Sequence, residues 1–213
     1  MTEHYHSSEI GFFRSDVATL LDTFVPWTER IYSPLGWRIR QTALEGHIDD
    51  MARRLSPVAP PHITRDLFVP CGNGWVCYLN NSFRGTDAAG KVSVLSDWVG
   101  CEAVRLVIAT GIPQPECPAF LSGPVGYKAL ILSHHSSSRD ADMDLYSAND
   151  GGRWVHGSQG PLRDVLGIDT TVSRAHPLTL ERLLGLCAAF NLNPVDSSWY
   201  GTKGVLVSKE RVS

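Results

Sequence analysis

The chain has 213 residues, of which 43% are hydrophobic and 19% are charged, and its formal net charge at pH 7 is −3. This composition is typical of a globular domain and excludes a disordered chain. A weakly acidic chain without an extended basic segment lacks the electrostatic footprint of a nucleic-acid-binding protein, so we predict no nucleic-acid partner.

The N-terminal sequence does not show the basic and then apolar pattern of a signal peptide. No segment approaches the roughly 20 apolar residues of a membrane span, so we predict a cytoplasmic protein with no membrane partner. The five cysteines, at positions 71, 77, 101, 117 and 187, are irregularly spaced. This favours reduced, mostly buried thiols over a disulfide framework.

The first elements of the chain are a terminal segment and a helix. The polar residues 1–14 are predicted to be disordered, as chain termini often are. Ser15 and Asp16 are suitable helix caps, and apolar residues then recur at helical spacing as far as Phe24. Pro26 is expected to end this helix.

In the next segment, the spacing of the side chains changes from the helical pattern to the alternating pattern of a strand. Two sets of side chains alternate along residues 37–42, which predicts a strand with one solvent-exposed face. One set is Trp37, Ile39 and Gln41, and the other is Arg38, Arg40 and Thr42. A short helix is expected over 46–55. The proline-rich residues 56–64 are interpreted as a connector inside one domain, because residues 1–55 alone would form a poor core.

The middle of the chain predicts a hairpin, a helix and a buried strand. Residues 65–71 and 74–81 are expected to pair through a turn at Gly72–Gly74. The helix is predicted over 90–99, with Val92, Val94, Leu95 and Trp98 buried. Residues 102–110 are the most apolar strand and are expected in the middle of the sheet.

The remaining elements are three strands in hairpin runs, a helix and a closing strand. Their predicted ranges are 127–135, 143–148 and 153–157 for the strands, 177–192 for the helix, and 204–208 for the closing strand. The order of elements predicts a single α+β domain, 1–213, with a mainly antiparallel sheet and flanking helices.

Common catalytic signatures are missing from the sequence. It contains no G-x-S-x-G, no C-x-x-C and no glycine-rich phosphate loop. His134 and His135 would face opposite sides of a strand, so they are a poor pair of metal ligands. We therefore predict neither a metal nor a cofactor.

Two polar turns, NNSFRGTD (80–87) and NDGGRW (149–154), remain as candidate sites. The candidate binding residues are Arg84, Asp87, Asp150, Arg153 and Trp154. Arginine and tryptophan are the residue types that most often anchor protein interfaces. The alternative is that these residues only form turns and cap helices.

The same turns carry a resemblance to a family of small bacterial proteins without an assigned activity. The matching positions are Trp75, Tyr78, Asn80 or Asn81, Arg84, Gly85, Thr86 and Asp87, then VGCEAVR (99–105), SANDGGRWV (147–155) and FNLNPVDSSWY (190–200). Proteins of this kind resemble immunity or accessory proteins that are found beside bacterial toxins. The resemblance implies a cognate protein toxin as the partner.

Three hypotheses follow from these patterns. The first is a non-catalytic protein-binding domain of the immunity type. The second is an enzyme acting on a small anionic substrate, in which Arg84 or Arg153 binds the anion and Asp87, Asp150 or His156 transfers protons. The third is that both turns only stabilise the fold.

Overall fold

In a computed structural model, the described residues form a nine-stranded antiparallel sheet at the centre of the fold, and helices lie on both of its faces. The structure describes residues 9–57, 63–81, 88–109, 118–121, 128–135, 142–150, 152–160 and 172–212. The strands are β1 (Glu9–Arg14), β2 (Trp37–Glu45), β3 (Ile63–Pro70), β4 (Trp75–Asn80), β5 (Ala103–Ala109), β6 (Lys128–His135), β7 (Met143–Asp150), β8 (Arg153–Gln159) and β9 (Lys203–Arg211). The α-helices are α1 (Val17–Tyr32), α2 (Ile48–Arg53), α3 (Ala88–Val99) and α4 (Leu180–Ala189). The predicted α+β class with a mainly antiparallel sheet and flanking helices is confirmed.

The strands do not follow one another in the sheet as they do in the sequence. Their order is β2-β9-β3-β4-β1-β5-β6-β7-β8, and each neighbouring pair is antiparallel. β1 is therefore the fifth strand of the sheet, and β9 lies between β2 and β3. As predicted, β5 lies inside the sheet, with neighbours on both sides.

Each face of the sheet has its own layer of helices. Apolar residues of α1 and α3 pack on one face, against residues such as Phe68 and Tyr78. Apolar residues of α2 and α4 pack on the opposite face, against residues such as Trp75 and Leu106. Adjacent residues of a strand point to opposite faces of the sheet. Because helices cover both faces, the central strands carry apolar side chains on both sides.

The prediction that residues 1–14 are disordered is wrong for Glu9–Arg14, which form β1. Ile10, Phe12 and Phe13 are fully buried, and β1 pairs with both β4 and β5. Gly11 lets α3 pack closely on this strand, since a Cβ at Gly11 would lie 2.5 Å from Cγ2 of Val92. Apolar residues on both faces of a short segment are the pattern of a buried central strand. Residues 1–8 lie outside the described part.

The prediction that Pro26 ends the first helix is also wrong, because α1 continues to Tyr32. Pro26 is exposed, so its ring projects away from the core. The predicted cap is confirmed, since the Asp16 carboxylate accepts a hydrogen bond from the Thr19 N–H at 2.9 Å. The buried side chains of α1 on both sides of Pro26 compensate for the hydrogen bond that a proline cannot donate.

The predicted turn at Gly72–Gly74 joins β3 and β4 as expected. Asn73 and Gly74 have φ angles of 60° and 75°, a left-handed conformation that asparagine and glycine adopt readily. The predicted connector 56–64 lies partly outside the described residues. Its described beginning is held by Asn81, whose Nδ2 donates to the Pro57 carbonyl at 3.2 Å.

In the described ranges, no helix is both long enough and apolar enough to cross a membrane. Four of the five cysteines are described there, and Cys71, Cys77, Cys101 and Cys187 are free thiols. Cys77 and Cys187 are buried, and burial raises the pKa of the Cys187 thiol to about 12.

Candidate functional site

The five residues predicted to bind a partner are distributed over two parts of the chain. Arg84 and Asp87 lie in segment 82–87, outside the described residues. Arg153 and Trp154 begin β8, at one edge of the sheet, and Asp150 ends β7 directly opposite Arg153. The prediction that both turns form one site therefore stays a prediction.

The ends of β4 and β7 locate the starting points of the two turns. Both strands run in the same direction, so Asn80 and Asp150 lie at the same end of the sheet. Three strands, β1, β5 and β6, separate them. Four strand spacings correspond to about 19 Å. The two turns therefore start from the same end of the sheet, but not from neighbouring strands.

His156, a candidate for proton transfer, is part of a hydrogen-bonded pair on β7 and β8. Its Nδ1 lies 2.7 Å from Oγ of Ser147, and Oγ also accepts a hydrogen bond from the Leu178 N–H at 2.8 Å. Ser147 is only 1% exposed, and none of the described carboxylates pairs with His156. This pair anchors residue 178 to the sheet and does not present a nucleophile to a substrate.

Several residues of the first motif have clear roles in the fold. The Trp75 indole N–H donates to the Phe190 carbonyl at 3.2 Å, which ties β4 to the end of α4. Asn81 accepts a hydrogen bond from the Arg65 N–H at 2.7 Å. These side chains are buried or partly buried, so they stabilise the fold and are not available to a partner.

A buried group of charged and polar side chains lies between the sheet and α3. Tyr78 Oη donates to Asp66 Oδ1 at 2.6 Å, and Lys91 Nζ lies 3.1 Å from the same oxygen. Lys209 donates to Asp66 Oδ2, and Asn80 Nδ2 lies 3.2 Å from Tyr78 Oη. We call these five residues the Asp66 cluster. It connects β3, β4, β9 and α3.

The protonation states in the Asp66 cluster are fixed by its charges. Burial opposes ionisation of Asp66, but Lys91 and Lys209 outweigh it and lower the pKa of the carboxyl to about 2. Burial and the Asp66 charge raise the pKa of Tyr78 well above its usual range. Neither group has a pKa near neutrality, which is the range that suits general acid–base catalysis.

The adjacent histidines of β6 contact different partners. His134 Nε2 lies 3.0 Å from Glu102 Oε1. The hydrogen bonds from His134 and from Arg14 hold the pKa of Glu102 below its usual range, although burial of the carboxyl opposes this shift. His135 Nδ1 lies 3.5 Å from Asp142 Oδ2. Within the described ranges, no group of three His, Cys, Asp or Glu side chains is arranged to hold a metal ion.

A surface groove between α1 and α3 contains two tryptophans. It has a volume of about 310 Å³ and is lined by Thr23, Pro26, Trp27, Arg30 and Trp98. The ring centroids of Trp27 and Trp98 lie 5.3 Å apart, and the ring planes meet at 79°. Trp98 is 49% exposed. We call this feature the indole groove.

The sequence prediction that Val94 and Trp98 are buried is wrong, since both are exposed on α3. Val92 and Ser96 form the buried row of this helix. Val94 and Trp98 are each displaced by two residues from that row, or about 200° around the helix axis. The sequence of α3 contains more apolar residues than one buried face can accommodate, but it does not indicate which of them are exposed.

The indole groove can bind an apolar side chain, because aromatic faces and a partly exposed tryptophan supply large contact area at low cost in conformational entropy. It holds no described pair of groups arranged for proton transfer or nucleophilic attack. No family model, no curated protein and no solved structure matches this chain significantly.

Proposed function

We propose that this chain is a non-catalytic, cytoplasmic protein-binding domain and that the indole groove is its binding surface. The observation that carries the proposal is the pair Trp27 and Trp98, in perpendicular contact beside Arg30 in an open groove. Tryptophan and arginine are the residue types most enriched among the energetically dominant residues of protein interfaces.

The proposed partner is a protein toxin, with this chain as its immunity or accessory protein. The resemblance of the motifs around Arg84 and Trp154 to small bacterial proteins supports this choice. The Asp66 cluster favours a structural role over catalysis, since Asp66 and Tyr78 are enclosed and have pKa values far from neutrality.

A capture experiment tests the proposal. The tagged chain is used to retain the product of the neighbouring gene, and its affinity for the captured protein is then measured. We expect Trp98→Ala to weaken binding by about 30-fold, the effect of losing a dominant interface tryptophan. The thermal unfolding of the variant should change little, because half of the Trp98 side chain is already exposed.

The same experiment compares the indole groove with the edge of the sheet. Trp154, on β8, is the other tryptophan of the described part that is strongly exposed, at 42%. Loss of binding with Trp154→Ala but not with Trp98→Ala would move the binding surface to β8. If no neighbouring product binds the wild-type chain, the immunity role is wrong.

A further inference from the structure

The chemistry of the indole groove restricts what can occupy it. Of the five lining residues, Arg30 alone is charged, and its side chain is exposed. Arg30 has no ion-pair partner among the described residues. Its guanidinium is therefore free to pair with a carboxylate brought in by a ligand.

Pro26 adds apolar surface to the groove, since its exposed ring is part of the lining. A proline ring loses almost no side-chain conformational freedom when a ligand packs on it, so it offers contact area at low entropic cost.

The two indoles define the third requirement. Their perpendicular faces form an apolar corner, which fits a bulky apolar side chain. Tryptophan faces also attract cations, but Arg30 in the same groove repels a second positive charge. The lining therefore selects an apolar and acidic ligand over a basic one.

We infer that the indole groove binds a segment of a partner protein in which a large apolar side chain is flanked by a carboxylate. The apolar side chain enters the corner between Trp27 and Trp98, and the carboxylate pairs with Arg30. This inference rests on the proposed protein-binding function and names the chemistry of the partner at that site.

Three short fluorescent peptides test the inference, with the central sequences Asp-Phe-Asp-Leu, Asn-Phe-Asn-Leu and Lys-Phe-Lys-Leu. Their binding to the full chain is followed by fluorescence anisotropy at low and high salt. We expect the acidic peptide to bind about fivefold more tightly than the amide peptide, the upper range for an exposed ion pair. The difference should shrink as salt screens the charges.

Substitutions test which residues of the chain produce the preference for the acidic peptide. In Arg30→Gln the acidic and amide peptides should bind equally, and Trp98→Ala should weaken both. Arg38→Gln is the matched control and should leave the preference intact. Arg38 is exposed on β2, and its side chain points to the opposite face of the sheet from its neighbour Ile39, which packs with the residues of α1. A preference for the basic peptide, a preference that survives Arg30→Gln, or no binding by any peptide would overturn the inference.

The outcomes separate this inference from the proposed function. In one outcome, capture of a partner depends on Trp98, but the contact surface of that partner has no acidic and apolar segment. This result would support the protein-binding function and contradict only the inference about the segment. If no neighbouring product is captured but the acidic peptide binds selectively, the proposed partner is wrong and the inferred chemistry of the groove is supported.

Discussion

Asp66 has no exposed surface, and it accepts hydrogen bonds from Tyr78, Lys91 and Lys209. Lys209 is also buried, with only 2% of its surface exposed. Replacing this carboxylate removes the negative charge at the centre of the Asp66 cluster. We expect Asp66→Asn to lower the free energy of unfolding by about 3–5 kcal/mol, as is typical when one member of a buried ion pair is removed. Urea unfolding at neutral pH measures this loss.

Asp50→Asn is the matched control for that measurement. Asp50 also pairs with a basic residue, Arg53, but both side chains are more than half exposed. Exposed pairs contribute at most about 1 kcal/mol, so this variant should be close to the wild-type chain in stability. Equal effects of the two substitutions would show that the Asp66 cluster is not a centre of stability.

The same substitution predicts a pH dependence. The pKa of Asp66 is about 2 in the folded chain, below its ordinary value of 3.8. A lowered carboxyl pKa stabilises the fold fully above the ordinary value and loses this effect as pH falls toward the folded pKa. Between about pH 5 and about pH 2, the wild-type chain should therefore lose about 2 kcal/mol more than Asp66→Asn loses. An equal loss of stability in the wild-type chain and in Asp66→Asn would contradict the lowered pKa of Asp66.

At the scale of the elements, the close packing of α3 on β1 depends on Gly11. A Cβ at this position would lie 2.5 Å from Cγ2 of Val92, which is closer than real contacts allow. We expect Gly11→Ala to cost about 1–3 kcal/mol, in the range for overpacked cores. The double variant Gly11→Ala/Val92→Ala should lose less stability than the two single substitutions predict together, because Val92→Ala removes the clashing methyl group.

Gly185→Ala is the control for the glycine change itself. Gly185 lies inside α4, and a Cβ there meets no atom within 4 Å. This substitution should raise the free energy of unfolding by about 0.5–1 kcal/mol, since alanine favours helix more than glycine does. Chemical denaturation of all four variants tests both expectations. Additive losses in the double variant would exclude the steric explanation for Gly11.

Local patterns predicted most elements well. The hairpin around Gly72–Gly74, the Asp16 cap and the apolar strand β5 follow from turn, cap and burial rules that act within a few residues. The errors have a common cause, since each depended on a contact distant in sequence. The segment at Gly11 becomes a strand because β4 and β5 flank it, and α1 passes Pro26 because its buried face packs on the sheet.

At the scale of the molecule, β1 joins the two halves of the sheet. It pairs with β4 on one side and with β5 on the other, and the two halves are β2-β9-β3-β4 and β5-β6-β7-β8. Deleting residues 1–14 should abolish cooperative unfolding, because the backbone groups of both inner strands lose their partners. Circular dichroism and calorimetry of the shortened chain measure this loss.

A synthetic peptide spanning residues 9–14 provides the control for the deletion. If β1 acts through pairing, added peptide should restore some of the cooperative transition, whereas a peptide of the same composition in scrambled order should not. A shortened chain that still unfolds cooperatively, with unchanged stability, would show that the two halves of the sheet hold together without β1.

The candidate site was less accessible to sequence reasoning than the fold. Residue types that form turns and caps also bind partners, so the sequence alone could not separate these roles for Asp150 or Arg153. The indole groove escaped prediction because Trp27 and Trp98 are distant in sequence and meet only when α1 and α3 lie side by side on the sheet. An exposed tryptophan and a buried one look alike until the orientation of the helix is known.

The position of β9 has a consequence for synthesis on the ribosome. Residues 203–211 fill the gap between β2 and β3, two strands that are made well before them. Until residues 203–211 leave the exit tunnel, the edges of β2 and β3 that β9 covers in the folded chain stay unpaired, and unpaired strand edges are prone to association with other chains. Translation that stops shortly before residue 203 would therefore release a product with an open sheet, suited to recognition by chaperones and proteases.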